Sequence, residues 1–142
     1  MKKEIVSIDI YGFLCEDKIS ELKFVMNLQK HKFLLFVGDT LVAESGFNIE
    51  QPDKWFDQKY VILFNVKTIK RFRGQGYAKK LLEHIFYYIK NELKLNIITL
   101  LVYKNNYKAV SLYFKLGFEI YIDYDENNTM GDEACYTLIK HL

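Results

Sequence analysis

The sequence predicts an α+β fold, a mixed sheet with helices packed on it, in the order β-α-β-β-β-α-β-α-β-β. Three observations predict it. The chain has 142 residues, 50% of them hydrophobic, which suits one domain spanning 1–142 with a real core. Apolar positions switch repeatedly between a period of two and helical spacing. A hairpin signal, Gly38-Asp39-Thr40, separates two early apolar runs. That signal makes the first part of the sheet antiparallel and excludes a doubly wound, all-parallel arrangement.

The elements follow in order. Residues 4–10 alternate polar and apolar side chains and predict a strand. Asp17 is placed to cap a helix running to about residue 31, with Ile19, Leu22 and Met26 on one face. Residues 33–37 and 41–49 are the two arms of the hairpin. A polar loop, 51–59, holds the only proline and the only tryptophan, Trp55, and a long strand is predicted over 60–68. From Gly76 onward Ala78, Leu81, Leu82, Ile85, Phe86, Ile89 and Leu93 recur at helical spacing, with charged residues opposite. His84, between Glu83 and Ile85, reads as solvated on the polar side. Residues 97–103 form a buried strand. Ala109, Leu112, Tyr113 and Leu116 then make a short helix ending at Gly117, a favoured C-terminal cap. Strands 118–124 and 134–139 close the chain around an acidic loop.

Composition removes several classes of function. Lys+Arg number 20 against 18 Asp+Glu, a net charge of +2, so the chain is neither a polycation nor an acidic tail. The longest apolar runs, 61–64 and 97–103, are far short of the roughly 18 residues of a membrane span. The first residues lack a continuous signal-peptide core, so a cytoplasmic protein with no membrane partner is expected. Cys15 and Cys135 are far apart and have no nearby histidine. Zinc bound by cysteine spacing is excluded, no metal is expected, and two thiols in a reducing compartment are the expectation.

The chemistry concentrates in residues 67–80, which hold six of the twenty Lys+Arg and both arginines, Arg71 and Arg73. A strand leads in and an amphipathic helix leads out. The first turn of that helix has free N–H groups and the positive end of the helix dipole, an anion site. Gly74 and Gly76 lack a Cβ and let a phosphate approach those amides. The segment is physically a diphosphate cradle. No register supplies the phosphate loop G-x-x-x-x-G-K-[ST], and the dinucleotide motif G-x-G-x-x-G fails because its third glycine falls on Lys79.

The pattern Arg73-x-x-Gly76-x-Ala78 resembles the acyl-CoA loop, [QR]-x-x-G-x-[GA], of the GNAT superfamily of N-acetyltransferases. A second motif, Asn106-x-x-Ala109-x-x-Leu112-Tyr113-x-Lys115-x-Gly117-Phe118, is similar to that superfamily's next helix. The stretches 63–66 and 81–84 are similar to ribosomal-protein N-terminal acetyltransferases, within the cofactor half only. The resemblance implies the acyl-CoA N-acyltransferase fold, acetyl-CoA as co-substrate and a primary amine as acceptor, with direct attack in a ternary complex. It implies that the backbone of Arg73, Gly74, Gln75, Gly76, Tyr77 and Ala78 holds the pyrophosphate. Val66, Lys67 and Thr68 would pair with the pantetheine arm, and an amide there would polarise the acetyl carbonyl. Asn106 would bond the pantetheine or start the next helix. Arg71, Lys79 and Lys80 are alternatives for the ribose phosphate.

Within the motif Tyr113 is the catalytic candidate, a phenol able to protonate the departing thiolate; in isolation it would read as core beside Ala109, Leu112 and Leu116. The base is open. Some relatives place a glutamate where this chain has Leu101. Glu44, Tyr60, Tyr103 and the acidic loop of 123–133 are the alternatives, and Trp55 with Phe56 is placed either to line an acceptor pocket or to pin its loop. The acceptor is expected among small cationic amines, lysines or protein N-termini. A non-catalytic acyl-CoA sensor and a tRNA-directed acetyltransferase are the competing functions. The basic run is compact and gives no extended basic face, so nucleic acid is not expected as a partner. The resemblance also allows a homodimer through the aromatic-rich final strands.

Overall fold

Strands dominate the computed structural model, which describes residues 5–8, 22–124 and 134–142. In chain order they are β1 (Ile5–Ile8), β2 (Leu22–Asn27), β3 (Lys32–Val37), β4 (Thr40–Glu50), β5 (Tyr60–Thr68), β6 (Ile97–Tyr103), β7 (Glu119–Tyr124) and β8 (Cys135–His141). Helix α1 (Tyr77–Asn91) lies between β5 and β6, and α2 (Tyr107–Lys115) between β6 and β7. A 3-10 turn, Lys70–Phe72, lies between β5 and α1.

All eight strands join one sheet in the order β1-β2-β3-β4-β5-β6-β8-β7. Every pairing is antiparallel except β5 with β6. That parallel pair needs a crossover, which α1 supplies. The mixed sheet with packed helices is therefore the expected class. Alternation along each strand sends one set of side chains to each face. Phe33, Leu35, Val61, Leu63, Ile98 and Leu100 join Leu81, Leu82, Ile85 and Ile89 of α1 in the main core. Tyr60, Ile97 and Ile139 form a second, smaller cluster with Phe56 and Ile62.

The expected helix to residue 31 fails where the structure describes it, because residues 22–27 are strand β2, paired with β3 from Leu22↔Val37 to Asn27↔Lys32. Leu22 and Met26 are four apart, a spacing that fits both periods. Phe24, Val25, Met26 and Asn27 are all buried. A strand covered on both faces shows a continuous apolar run, which periodicity does not separate from a buried helix. Asp17, Ile19, Cys15 and the acidic loop 125–133 lie outside the described residues. Cys135 is fully buried with a free thiol. No described helix is long and apolar enough to cross a membrane.

His84 is the second correction. It is 6% exposed, stacked on Phe24 of β2 with ring centroids 4.1 Å apart, and its Nε2 has no hydrogen-bond partner among the described residues. Burial pushes its pKa down to about 4 from 6.5. Below pH 6.5 the unfolded chain takes up a proton that the folded chain refuses until about pH 4, so stability falls as pH drops through that window. The expected loss at pH 5 is about 2 kcal/mol. Urea unfolding at pH 7.5 and 5.0 measures it, and His84→Leu should flatten that part of the slope.

Candidate active site

The site begins where two strands part. β5 and β6 pair only at Val61↔Ile98, Ile62↔Thr99 and Leu63↔Leu100. Beyond Leu63, β5 stays paired with β4 but has no strand partner towards β6 among the described residues. A bulge helps to turn it away. Glu44↔Lys67 and Gly46↔Phe64 leave two residues of β5, Asn65 and Val66, opposite Ser45 alone. Asn65 has φ +51°, a left-handed conformation that asparagine tolerates better than most residues. Across the ladder, Gly46 makes room for Phe64, since a Cβ at residue 46 would fall onto that ring.

The parted strands frame an opening of about 170 Å³ between residues 63–66 and 100–103, reaching Asn106 and Tyr113. A larger cavity of about 650 Å³ continues from it, lined by Lys67, Thr68, Arg73, Gly74, Gly76, Tyr77, Ala78, Lys79 and Lys108. Val66, Asn106 and Tyr113 line both, so the two form one trough.

The trough's far end is built by the loop into α1. Ile69 N–H donates to Val42 C=O at 2.8 Å, and Arg73 Nε donates to Thr68 C=O at 3.2 Å, which pins the turn. Gly74 and Gly76 have φ +80° and +84°, and a Cβ on either would meet no atom of the described residues within 4 Å. Both glycines line the larger cavity. Gly76 is the N-cap of α1, and the first helical bond is Lys80 N–H to Gly76 C=O. The amides of Tyr77, Ala78 and Lys79 therefore have no intrahelical acceptor. No acidic residue occupies the first turn. Left-handed glycines, free amides, the dipole's positive end and the cations of Lys79, Arg73 and Lys108 fit a diphosphate.

Of the residues expected to contact acetyl-CoA, all but Gln75 line the trough; Gln75 sits between the two left-handed glycines. Among the alternatives for a ribose phosphate, Lys79 lines it and Lys80 does not. The Arg71 guanidinium lies over the neighbouring Phe72 ring at 4.8 Å, outside the trough lining. Lys108 was not foreseen. It comes from α2, and only the packing of two helices brings it to the loop. The bulge at Asn65 was also missed, although an asparagine inside a strand is its visible signal.

Asn106 is the N-cap of α2, its Oδ1 accepting from Ala109 N–H at 3.4 Å. Tyr113 is 6% exposed, packs edge-on to Phe118 at 5.6 Å and lines both parts of the trough. Burial pushes its phenol up to about 12. That keeps it protonated and disfavours a resident phenolate.

The alternatives for the base separate. The Tyr60 hydroxyl donates to Asp53 Oδ2 at 2.7 Å, and burial with that carboxylate beside it pushes the phenol up to about 12. It is a poor proton acceptor. Glu44 bridges Lys32 at 3.3 Å and Lys67 at 3.2 Å. Partial burial opposes its ionisation, but the hydrogen bonds from Lys67 and Lys32 outweigh it and hold the carboxyl below its usual range. It lines a neighbouring cavity with Phe64 and Val66. Tyr103 is half exposed and borders the strand opening, as does Leu101. No cluster of three metal-ligating side chains occurs among the described residues.

Comparison with known proteins agrees with this geometry. The profile of the acetyltransferase (GNAT) family matches residues 7–118. No curated protein matches the chain. Among solved structures, the Escherichia coli ribosomal-protein-S18-alanine N-acetyltransferase aligns at 20% identity with a TM-score of 0.64, covering 78% of this chain and 67% of that one. A GNAT-family acetyltransferase from Streptococcus pneumoniae aligns at 23% identity and 0.66, covering 78% and 65%. Arabidopsis thaliana Naa50, in complex with the bisubstrate analogue CoA-Ac-MVNAL, aligns at 18% identity and 0.65, covering 97% and 99%. At these identities the likeness shows the fold.

Proposed function

Because the chain belongs to the acetyltransferase (GNAT) family, we propose that it is an acetyl-CoA-dependent N-acetyltransferase acting on a primary amine by direct attack in a ternary complex. The observation that carries this is the continuous trough from the glycine amides to Tyr113, which runs between the parted strands. Bound acetyl-CoA supplies an activated acetyl thioester.

The chain's own groups do the rest. The amides at the start of α1 hold the pyrophosphate, and Lys79 and Lys108 add charge beside it. The free edge of Val66 to Thr68 pairs with an extended ligand arm as another strand would. One amide of the bulged segment, aimed at the acetyl oxygen, stabilises its developing charge, typically worth about 3 kcal/mol. As the new carbon–nitrogen bond forms and the carbon–sulfur bond breaks, Tyr113 delivers its phenolic proton to the sulfur and regains one from the nitrogen. A phenol at about 12 is a weak acid towards a thiolate. The transfer is therefore concerted with bond cleavage rather than complete before it.

The test is amine-dependent release of free thiol from acetyl-CoA, with the N-acetyl product identified by mass spectrometry. Rates should rise with pH as the acceptor amine loses its proton. No alkaline fall from Tyr113 should follow up to pH 10, since its phenol stays protonated well beyond that. CoA binding with no thiol release for any amine would replace this reading with a non-catalytic acyl-CoA-binding module.

A further inference from the structure

A cavity of about 340 Å³ lies beside the strand opening, walled by Trp55, Phe56, Tyr60, Ile62, Leu101 and Tyr121. That volume is at the small end of the range for ligand clefts. None of the described residues lining it is charged. Phe56 stacks on Tyr121 at 5.4 Å and lies edge-on to Tyr60 at 4.7 Å, while Trp55 meets Tyr121 edge-on at 6.4 Å. These contacts set the rings of the loop before β5 as a fixed wall against β7. The Tyr60 hydroxyl points its proton at Asp53, which fixes that ring as well.

Position gives the cavity its meaning. Leu100 and Leu101 line both this cavity and the opening between β5 and β6. Pairing of those strands stops at Leu63↔Leu100, and Leu101, the next residue of β6, lines the cavity, so the aromatic cavity reaches the point where the strands separate. An amine that enters the opening beside Leu101 lays its substituent among these rings.

We infer that this cavity is the side-chain subsite of the acceptor, and that the preferred acceptor is a primary amine carrying a bulky apolar or aromatic group rather than a polycation. The inference rests on the acetyl-transfer reading above. A second ammonium would lose its hydration in an uncharged cavity without an acidic partner among the described lining residues. Aromatic faces do attract cations. Here the Lys54 ammonium already lies over the Trp55 ring at 5.5 Å, and its charge repels another. An apolar group meets neither cost. It comes from a small arylalkylamine or from the first residue of a peptide.

Trp55 is the only tryptophan in the chain, so its emission reports the cavity directly. The full chain is titrated with phenethylamine, a phenylalanine-initiated tetrapeptide and spermidine, with and without CoA, and thiol-release rates are measured for the same amines and ethylamine. A saturable shift of Trp55 emission is expected with phenethylamine or the peptide. A preference in kcat/KM of at least about tenfold over ethylamine and spermidine should accompany it. The faster of the two aromatic arms names the source. Tyr121→Ala should reduce the phenethylamine-to-ethylamine ratio by about tenfold. Faster transfer to spermidine, with Trp55 emission unmoved by either aromatic amine, overturns the inference. Calorimetry with CoA alone gives a separate readout: no binding there brings down the acetyl-transfer reading and this inference with it.

Discussion

Gly76→Trp is expected to abolish measurable acetyl-CoA binding, with affinity falling by roughly 100-fold or more. The reason is geometric. Gly76 opens onto free space at φ +84°, next to the unpaired amides of α1, and an indole would fill the volume a phosphate needs. Losing two charge-assisted hydrogen bonds of about 1.5–3 kcal/mol each accounts for a change of that size. The left-handed backbone adds a separate stability cost of about 1–2 kcal/mol for any side chain. Gly76→Ala carries the same strain with little obstruction, so calorimetry on both variants, beside their melting temperatures, separates blockage from strain. An unchanged CoA affinity in the tryptophan variant would place the diphosphate elsewhere.

Tyr113→Phe should lower turnover by about 100-fold, the scale of losing a general acid, with CoA affinity little altered. The phenylalanine ring keeps the packing against Phe118, so stability should hold. Because burial already holds the phenol protonated at about 12, the variant loses a proton donor and no charge. Single-turnover rates at saturating acetyl-CoA make the comparison. Equal rates for the two proteins would leave Tyr113 as a core residue alone.

The parts of the fold that were legible are those where one local rule acts alone. Strands over 60–68 and 97–103 emerge with the expected limits, and α1 starts beside Gly76 as its spacing requires. The two motifs were readable because they are made of backbone conformations. Left-handed glycines, a helix N-terminus and an asparagine cap are local properties of a short segment. What escaped depends on partners distant in sequence. Leu22 and Met26 fit a helix until β1 and β3 flank them. His84 sits beside Glu83 in sequence, yet it is three residues from Leu81, on the buried stripe, and Phe24 of β2 completes its pocket. Tyr60 looked like a possible base until the fold set Asp53 against its hydroxyl. Lys108 joins the phosphate end only because α2 packs near the α1 loop.

The short seam between β5 and β6 has a mechanical meaning. Among the described residues, three pairs are the only ladder joining two blades of the sheet, one carrying β1 to β5 and the other β6 to β8. Leu63, Leu100 and Val102, on the strands that flank the wedge, belong to the main core. A molecule seated in the wedge would bridge both blades and so splint them. On the acetyl-transfer reading proposed above, an extended ligand arm would complete the cross-section of the sheet there.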